Sequence, residues 1–200
     1  ISLYDTITIN PADTFSIEGP FDFPQEQNLI FKAWETLQEH FGPALKPVKV
    51  KVQKLIPEGA GLGGGSSNYG SFIRGYCEMF GLPISENLIT KCARHGKDIP
   101  FFITPETMAH YTGFGETLYQ TFKAADFPHL ITSGSLFIPP FKHPTPWAYQ
   151  QLSESAKNTN YTKAFIESKG LKLGNSFDTL KHQSNYPVEI RQNFQITGSG

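Results

Sequence analysis

The stretch from Pro57 to Asn68 contains five glycines within seven positions, followed at once by two adjacent serines. Glycine loses the most backbone freedom on folding, so such a segment is costly to order. Loops of this composition bring the backbone close to a ligand and direct several N–H groups at it. The residue types therefore predict a phosphate-binding loop. A flexible linker between two elements is the plain alternative.

The elements on either side of the loop support the phosphate interpretation. Before it, the valines of residues 48–53 alternate with polar residues, a period of two that predicts a strand. After it, aromatic residues recur every four positions over residues 72–80, which predicts a helix capped by one of residues 66–68. A helix N-terminus has free N–H groups and the positive end of the helix dipole, which suit a phosphate.

Two common phosphate motifs fit this loop less well. The P-loop pattern G-x-x-x-x-G-K-[ST] fails, because Gly65 stands where the lysine should follow Gly64. The dinucleotide pattern G-x-G-x-x-G is met by Gly59, Gly61 and Gly64. It also requires an acidic residue at the end of the next strand, whereas the acidic residue at that distance falls inside the predicted helix.

The loop resembles instead the ATP loop of the GHMP small-molecule kinases, whose core is P-x-x-x-G-L-[GS]-S-S. It is most similar to the branch of that family that phosphorylates the 2-hydroxyl of a cytidine diphosphate-linked methylerythritol in isoprenoid precursor synthesis. The resemblance implies ATP and Mg²⁺ as cofactors and a small-molecule substrate. It also implies a set of nucleotide-binding residues, namely Pro57, Glu58, Gly59, Ala60, Gly61, Leu62, Gly63, Gly64, Gly65, Ser66 and Ser67.

Asp98 is the candidate general base, because phosphoryl transfer to an alcohol needs an acceptor for the hydroxyl proton. It follows a predicted helix on a short loop, where an ordinary turn aspartate paired with Lys97 is an equally good interpretation. The segment Gly96–Phe102 resembles the family's G-A-D-V-P-F-F, which implies that Asp98 is the base and contacts the substrate. Lys97 replaces a small residue, and it would point away from Asp98 in an extended segment.

Other positions follow from the resemblance one at a time. Asn28 is similar to the start of the helix near the adenine, and a helix N-cap is its alternative role. Lys54 resembles a basic residue beside the nucleotide, and a solvated strand lysine is its alternative. Thr145 resembles a threonine beside the substrate, and residues 197–200 resemble the start of the family's third glycine-rich motif. The six histidines show no metal-ligand spacing, so no protein metal site is expected.

The order of elements predicts an α+β fold in which hairpins mix with helices. We expect one hairpin from residues 1–9 and 15–19, a second around residues 113–115, a strand over 129–137, and helices over 147–152 and 163–168. The resemblance implies a two-lobed GHMP kinase fold. Its ribosomal protein S5 domain 2-like ATP-binding lobe would span residues 1–128, and its ferredoxin-like substrate lobe would span residues 129–200.

Composition limits the function classes. The net charge of −1 gives no overall field that would attract nucleic acid or an anionic membrane. No apolar run has the length of a membrane span, and Cys77 and Cys92 lie on apolar helix faces, so we expect reduced core thiols and a cytoplasmic protein. The family resemblance implies a bacterial one.

The family's P-A-K-x-N-L segment with its lysine and its P-D-G-Y-H segment are not found in these 200 residues, so we expect the chain to lack both ends. A kinase for another small alcohol, of the homoserine or mevalonate type, and a non-catalytic nucleotide-binding module remain the alternatives.

Overall fold

The computed structural model describes residues 3–42, 45–104, 106–113, 115–129, 136, 145–152, 160–172 and 174. The chain divides into two compact units, one of residues 1–56 and 63–121 and the other of residues 57–62 and 122–200. Every helix among the described residues is too short or too polar to span a lipid bilayer. The mixture of strands and helices confirms the predicted α+β class.

A three-stranded sheet in the first unit has the order β1-β3-β2. Strand β1 (Thr6–Pro11) pairs antiparallel with β3 (Val48–Gln53), and β2 (Ser16–Glu18) pairs parallel with β3. The predicted hairpin between residues 1–9 and 15–19 is therefore wrong, because β3 lies between the two strands. Helix α1 (Leu29–Phe41) provides the crossover that a parallel strand pair requires.

The same unit contains the helices α2 (Gly64–Phe80), α3 (Glu86–Ala93) and α4 (Ile99–Ile103). The buried valines of β3 pack with the apolar faces of the four helices into one core. Both cysteines are free and buried in this core, as predicted. Its buried residues are Ile30, Ala33, Trp34, Leu37, Val48, Val50, Val52, Tyr69, Phe72, Ile73, Tyr76, Cys77, Leu88, Cys92, Ile99 and Ile103.

Strands β4 (Ala109–Thr112) and β5 (Thr117–Thr121) form a separate antiparallel pair, which confirms the hairpin predicted around residues 113–115. Gly113 and Gly115 both adopt positive φ, at 69° and 93°. Glycine adopts this conformation with little strain, so the glycines of the turn account for the hairpin.

The second unit contains helices α5 (Thr145–Gln150) and α6 (Tyr161–Glu167), close to the two helices predicted there. Phe127 packs on Phe165 of α6, with ring centroids 4.8 Å apart. Of the strand predicted over 129–137, only residues 129 and 136 are among the described residues. Residues 175–200 lie wholly outside them. The lobe boundaries 1–128 and 129–200 stay a prediction.

Candidate functional site

Helix α2 begins without a side-chain cap. Its N-cap is Gly63 in the left-handed region, with φ +69°, and the Ser67 N–H donates to the Gly63 carbonyl at 2.8 Å. The predicted cap at residues 66–68 is wrong, since these residues lie inside the helix and the Ser67 hydroxyl donates to the Gly64 carbonyl. The first N–H groups of a helix have no partner within it, so this end of α2 is suited to an anion.

Glycines in the first turn of α2 allow two other segments to approach it closely. A Cβ on Gly64 would lie 2.8 Å from Ile56 Cγ2 and 3.3 Å from Lys54 Nζ. A Cβ on Gly65 would lie 2.9 Å from Cδ1 of Leu29, at the start of α1. The structure thus places Lys54 and the segment that follows Asn28 at the first turn of α2.

The segment that leads into Asp98 approaches the same first turn of α2. A Cβ on Gly96 would lie 3.4 Å from the Ser66 Oγ, so the chain that leads into Asp98 contacts the first turn of α2. Asp98 is the N-cap of α4 and is exposed, and its side chain makes no cap hydrogen bond. The backbone at Asp98 is helical and not extended, with φ −84° and ψ −15°. The expectation that Lys97 points away from Asp98 assumed an extended segment, so it no longer has a basis.

Two close backbone approaches fix the position of this Asp98 segment. A Cβ on Gly70 would lie 2.6 Å from Cβ and 2.7 Å from the carbonyl carbon of Phe102, so α2 and α4 touch at their backbones. At the β4–β5 turn, a Cβ on Gly115 would overlap the Lys97 carbonyl oxygen. Helix α4 and the residues before it are therefore held from two sides.

Lys54 lies in a buried ion pair that no local sequence pattern predicts. Its Nζ donates to Asp5 Oδ2 at 2.8 Å and to the Ile56 carbonyl, and its side chain is 12% exposed. The alternative of a solvated strand lysine is therefore wrong. The signal that could have located Asp5 is the strand register, because the pairing of Thr6 with Gln53 sets Asp5 opposite Lys54.

Asn28 has its alternative role, that of a helix N-cap. Its Oδ1 accepts from the Ile30 N–H at 2.9 Å, and the residue is 6% exposed. This confirms Asn28 as the N-cap of α1, and contact with an adenine stays a prediction. Thr145 begins α5 in the second unit, and its contact with substrate also stays a prediction. Residues 197–200 lie outside the described residues.

Metal-binding side chains are not clustered in the described part of the chain. None of its histidine, cysteine, aspartate and glutamate residues form a group of three or more that could hold a metal ion. A magnesium ion bound through substrate phosphates needs only one or two protein ligands, so it requires no such group.

Comparisons with known proteins agree on one family. The sequence pattern of the GHMP kinase N-terminal domain matches residues 28–105. A 4-diphosphocytidyl-2-C-methyl-D-erythritol kinase from Sulfurovum sp. (strain NBC37-1) is 44% identical over 121 residues, which cover 57% of this chain and 47% of that protein. The kinase of the same name from Chloroherpeton thalassium is 31% identical over 216 residues, covering 100% of this chain and 73% of that protein.

A solved structure shares the fold. The crystal structure of a 4-(cytidine 5'-diphospho)-2C-methyl-D-erythritol kinase matches with a TM-score of 0.65 at 24% identity, covering 89% of this chain and 64% of that chain. Several of the curated relatives are considerably longer than the matched region. This chain spans between 47% and 61% of the length of three of them.

Proposed function

Because the chain belongs to the GHMP kinase family, we propose that the protein transfers the γ-phosphoryl group of ATP to the 2-hydroxyl of 4-diphosphocytidyl-2-C-methyl-D-erythritol. Membership confirms the family resemblance noted in the sequence. The acceptor is supported by the name that the matched relatives share. The reaction would be a step in non-mevalonate isoprenoid precursor synthesis.

The contact between Gly96 and Ser66 carries the proposal. It brings the segment of a carboxylate, Asp98, to the uncapped end of α2, which is the natural place for a phosphate chain. A kinase for an alcohol needs this combination, because the acceptor hydroxyl must reach both the terminal phosphate and a proton acceptor. The glycine loop alone would suit any phosphate ligand.

The nucleotide would be held by the loop from Pro57 to Ser67, with backbone N–H groups directed at its phosphates. Gly59 and Gly61 have φ of +66° and +69°, a conformation that other residues adopt only with strain. Bound Mg²⁺ supplies charge neutralisation at the transferring group. The hydroxyls of Ser66 and Ser67 are oxygen ligands of the type that this ion accepts, and both belong to the first turn of α2.

Asp98 would act on the acceptor. Its carboxylate, exposed at the N-terminus of α4, would accept the proton of the attacking hydroxyl and orient that oxygen toward the phosphate. Charge stabilisation is the larger part of catalysis in phosphoryl transfer, so the loop and α2 would contribute more than the base does. Lys54, beside Gly64, would add positive charge near the phosphates.

The finer architecture belongs to the same proposal. Residues 1–128 would form the ribosomal protein S5 domain 2-like lobe that binds ATP, with Asn28 near the adenine. Residues 129–200 would belong to the ferredoxin-like lobe, with Thr145 beside the substrate. We place the protein in the bacterial cytoplasm.

The test is a comparison of acceptors in the full-length protein. Purified protein is incubated with ATP, Mg²⁺ and either 4-diphosphocytidyl-2-C-methyl-D-erythritol, homoserine or mevalonate, and the products are identified by mass spectrometry. We expect a monophosphorylated product from the cytidine compound, with a kcat/KM at least about 100-fold above that of homoserine or mevalonate. A site built to hydrogen-bond the polar groups of one acceptor rejects acceptors that lack those groups. Turnover of another acceptor would refute the proposed substrate. ATP binding without turnover of any acceptor would favour the non-catalytic module.

A further inference from the structure

The buried carboxylate of Asp5 lies where strand β3 ends and helix α2 begins. Its side chain is 1% exposed. Oδ1 accepts from the backbone N–H groups of Leu55 at 2.7 Å and Ile56 at 2.8 Å. Oδ2 accepts from Lys54 Nζ at 2.8 Å and from Asn68 Nδ2 at 2.9 Å. A buried carboxylate is costly unless it is paired and hydrogen-bonded, and these four donors meet that requirement.

The four donors come from both sides of the glycine loop. Lys54, Leu55 and Ile56 precede Pro57, the first residue of the predicted loop, and Asn68 follows Ser67, its last. One carboxylate therefore ties the chain that enters the loop to the helix that leaves it. This link shortens the span over which the loop is free, which lowers the entropy that must be lost when it becomes ordered around a ligand.

Asp5 also holds the Lys54 ammonium group at the first turn of α2. A Cβ on Gly64 would lie 3.3 Å from that Nζ, so the positive charge is next to the end of the helix that carries free N–H groups. Burial alone would raise the pKa of Asp5, but the hydrogen bonds from Lys54, Ile56, Leu55 and Asn68 outweigh it and hold the pKa below its ordinary value. The carboxylate is thus ionised at neutral pH.

We propose that Asp5 is a positioning residue for the phosphate-binding loop, which it keeps ready for nucleotide by clamping the loop's two flanks. The inference rests on the proposed function, since it assigns the loop to a nucleotide. Asp5 would not touch the ligand. Its effect would appear as weaker nucleotide binding and a more mobile loop in a protein that is still folded.

Asp5→Asn is the sharpest test, because it keeps the shape of the side chain. The amide can accept from only one side, and its NH₂ group then faces either the two backbone N–H groups or Lys54 and Asn68. Asn68→Ala removes one hydrogen bond to Asp5 and leaves the ion pair with Lys54. It is the replacement test variant if Asp5→Asn does not fold. Glu18→Gln is the matched control, since Glu18 also pairs with a lysine on β3, Lys49, but at an exposed position.

Three quantities are measured in the full-length protein. They are amide hydrogen exchange over residues 57–67 without ligand, the Kd of a non-hydrolysable ATP analogue, and KM for ATP separately from kcat. For Asp5→Asn we expect faster exchange confined to the loop and its flanks, and a Kd and KM about tenfold higher with a smaller change in kcat. Asn68→Ala should show the same pattern at about threefold. Glu18→Gln should match the wild type.

The opposite result is equally clear. If Asp5→Asn, or Asn68→Ala in its place, leaves loop exchange unchanged and the Kd within about twofold of wild type, the clamp is refuted, even if the melting temperature falls. If the wild-type protein itself binds no nucleotide, the proposed function fails, and hydrogen exchange still decides whether Asp5 orders the loop. The two failures are therefore distinguishable.

Discussion

Gly70 lies in the middle of α2, where that helix touches α4, and Gly70→Ala tests whether this contact positions Asp98. A Cβ at Gly70 would stand 2.6 Å from Cβ, 2.7 Å from the carbonyl carbon and 3.0 Å from the carbonyl oxygen of Phe102. Two of these atoms are backbone, so a rotamer change cannot relieve the clash. The two helices must move apart, and α4 carries Asp98 at its N-terminus.

Two opposing terms set the size of the effect. Alanine in place of glycine stabilises a helix interior by about 0.8–1.0 kcal/mol. Overpacking a close contact costs about 1–3 kcal/mol. Gly75→Ala in the same helix gains the same propensity, but its Cβ would meet only Cδ1 of Ile9, at 3.0 Å, the far end of a flexible side chain. The difference between the two variants therefore isolates overpacking, and Gly70→Ala should be less stable than Gly75→Ala by about 1–3 kcal/mol.

Denaturant unfolding, thermal unfolding and steady-state kinetics on both variants provide the assay. At about 2–4 °C per kcal/mol, the two melting temperatures should differ by several degrees. A displacement of Asp98 by about 1 Å should lower kcat by as much as 100-fold in Gly70→Ala, with KM for ATP changed less. Equal stability of the two variants would refute the packing argument. A less stable Gly70→Ala protein with wild-type kcat would show that this contact does not position the base.

Four further outcomes follow from the site. Asp98→Asn should lower kcat by about 10²–10⁴-fold without changing the melting temperature or the Kd for nucleotide, and near-wild-type turnover would leave Asp98 a turn residue. Gly64→Val should abolish calorimetric binding of ATP, because its side chain would enter the space filled by Ile56 Cγ2, and unchanged binding would contradict the loop assignment. Burial raises the pKa of both the Cys77 and the Cys92 thiols to about 11, so a disulfide reagent at about pH 8 should modify them only after unfolding; fast labelling of native protein would contradict the packing. Burial alone would raise the pKa of Asp5, but its hydrogen bonds outweigh burial and hold the pKa below its ordinary value, so its stabilisation should be complete above about pH 5 and lost as pH falls through the folded-state pKa. Urea unfolding from about pH 5 to pH 2.5 should show a weaker pH dependence in Asp5→Asn, and parallel curves would contradict the shift.

Elements with local signals could be predicted from the sequence. The alternating valines of β3, the Asn28 cap, and the glycine turn between β4 and β5 are all where the pattern placed them. Each signal lies within a few residues of the structure that it specifies. The reason is physical, because caps, turns and amphipathic periods are decided by neighbours along the chain.

Features that depend on distant partners could not be predicted. The apparent hairpin of the first two strands failed, because the strand that separates them enters the sheet more than 25 residues later. The start of α2 was placed too late, because glycine is a poor helix former and only packing against Ile56 and Leu29 explains Gly64 and Gly65 in a helix. Asp5 carried no local signal, since its four donors lie about 50 or more residues away.

The glycines of the loop have two separate causes, and this changes what a glycine variant can prove. Gly59 and Gly61 have positive φ, whereas Gly64 and Gly65 are helical and are required because Ile56 and Leu29 stand where a Cβ would be. Loss of ATP binding in Gly64→Val could thus follow from a displaced helix rather than from a blocked phosphate. A substitution of Gly61, which has φ of +69°, strains the loop backbone. If both variants lose binding while Gly61→Ala keeps the wild-type melting temperature, the loop itself binds the nucleotide.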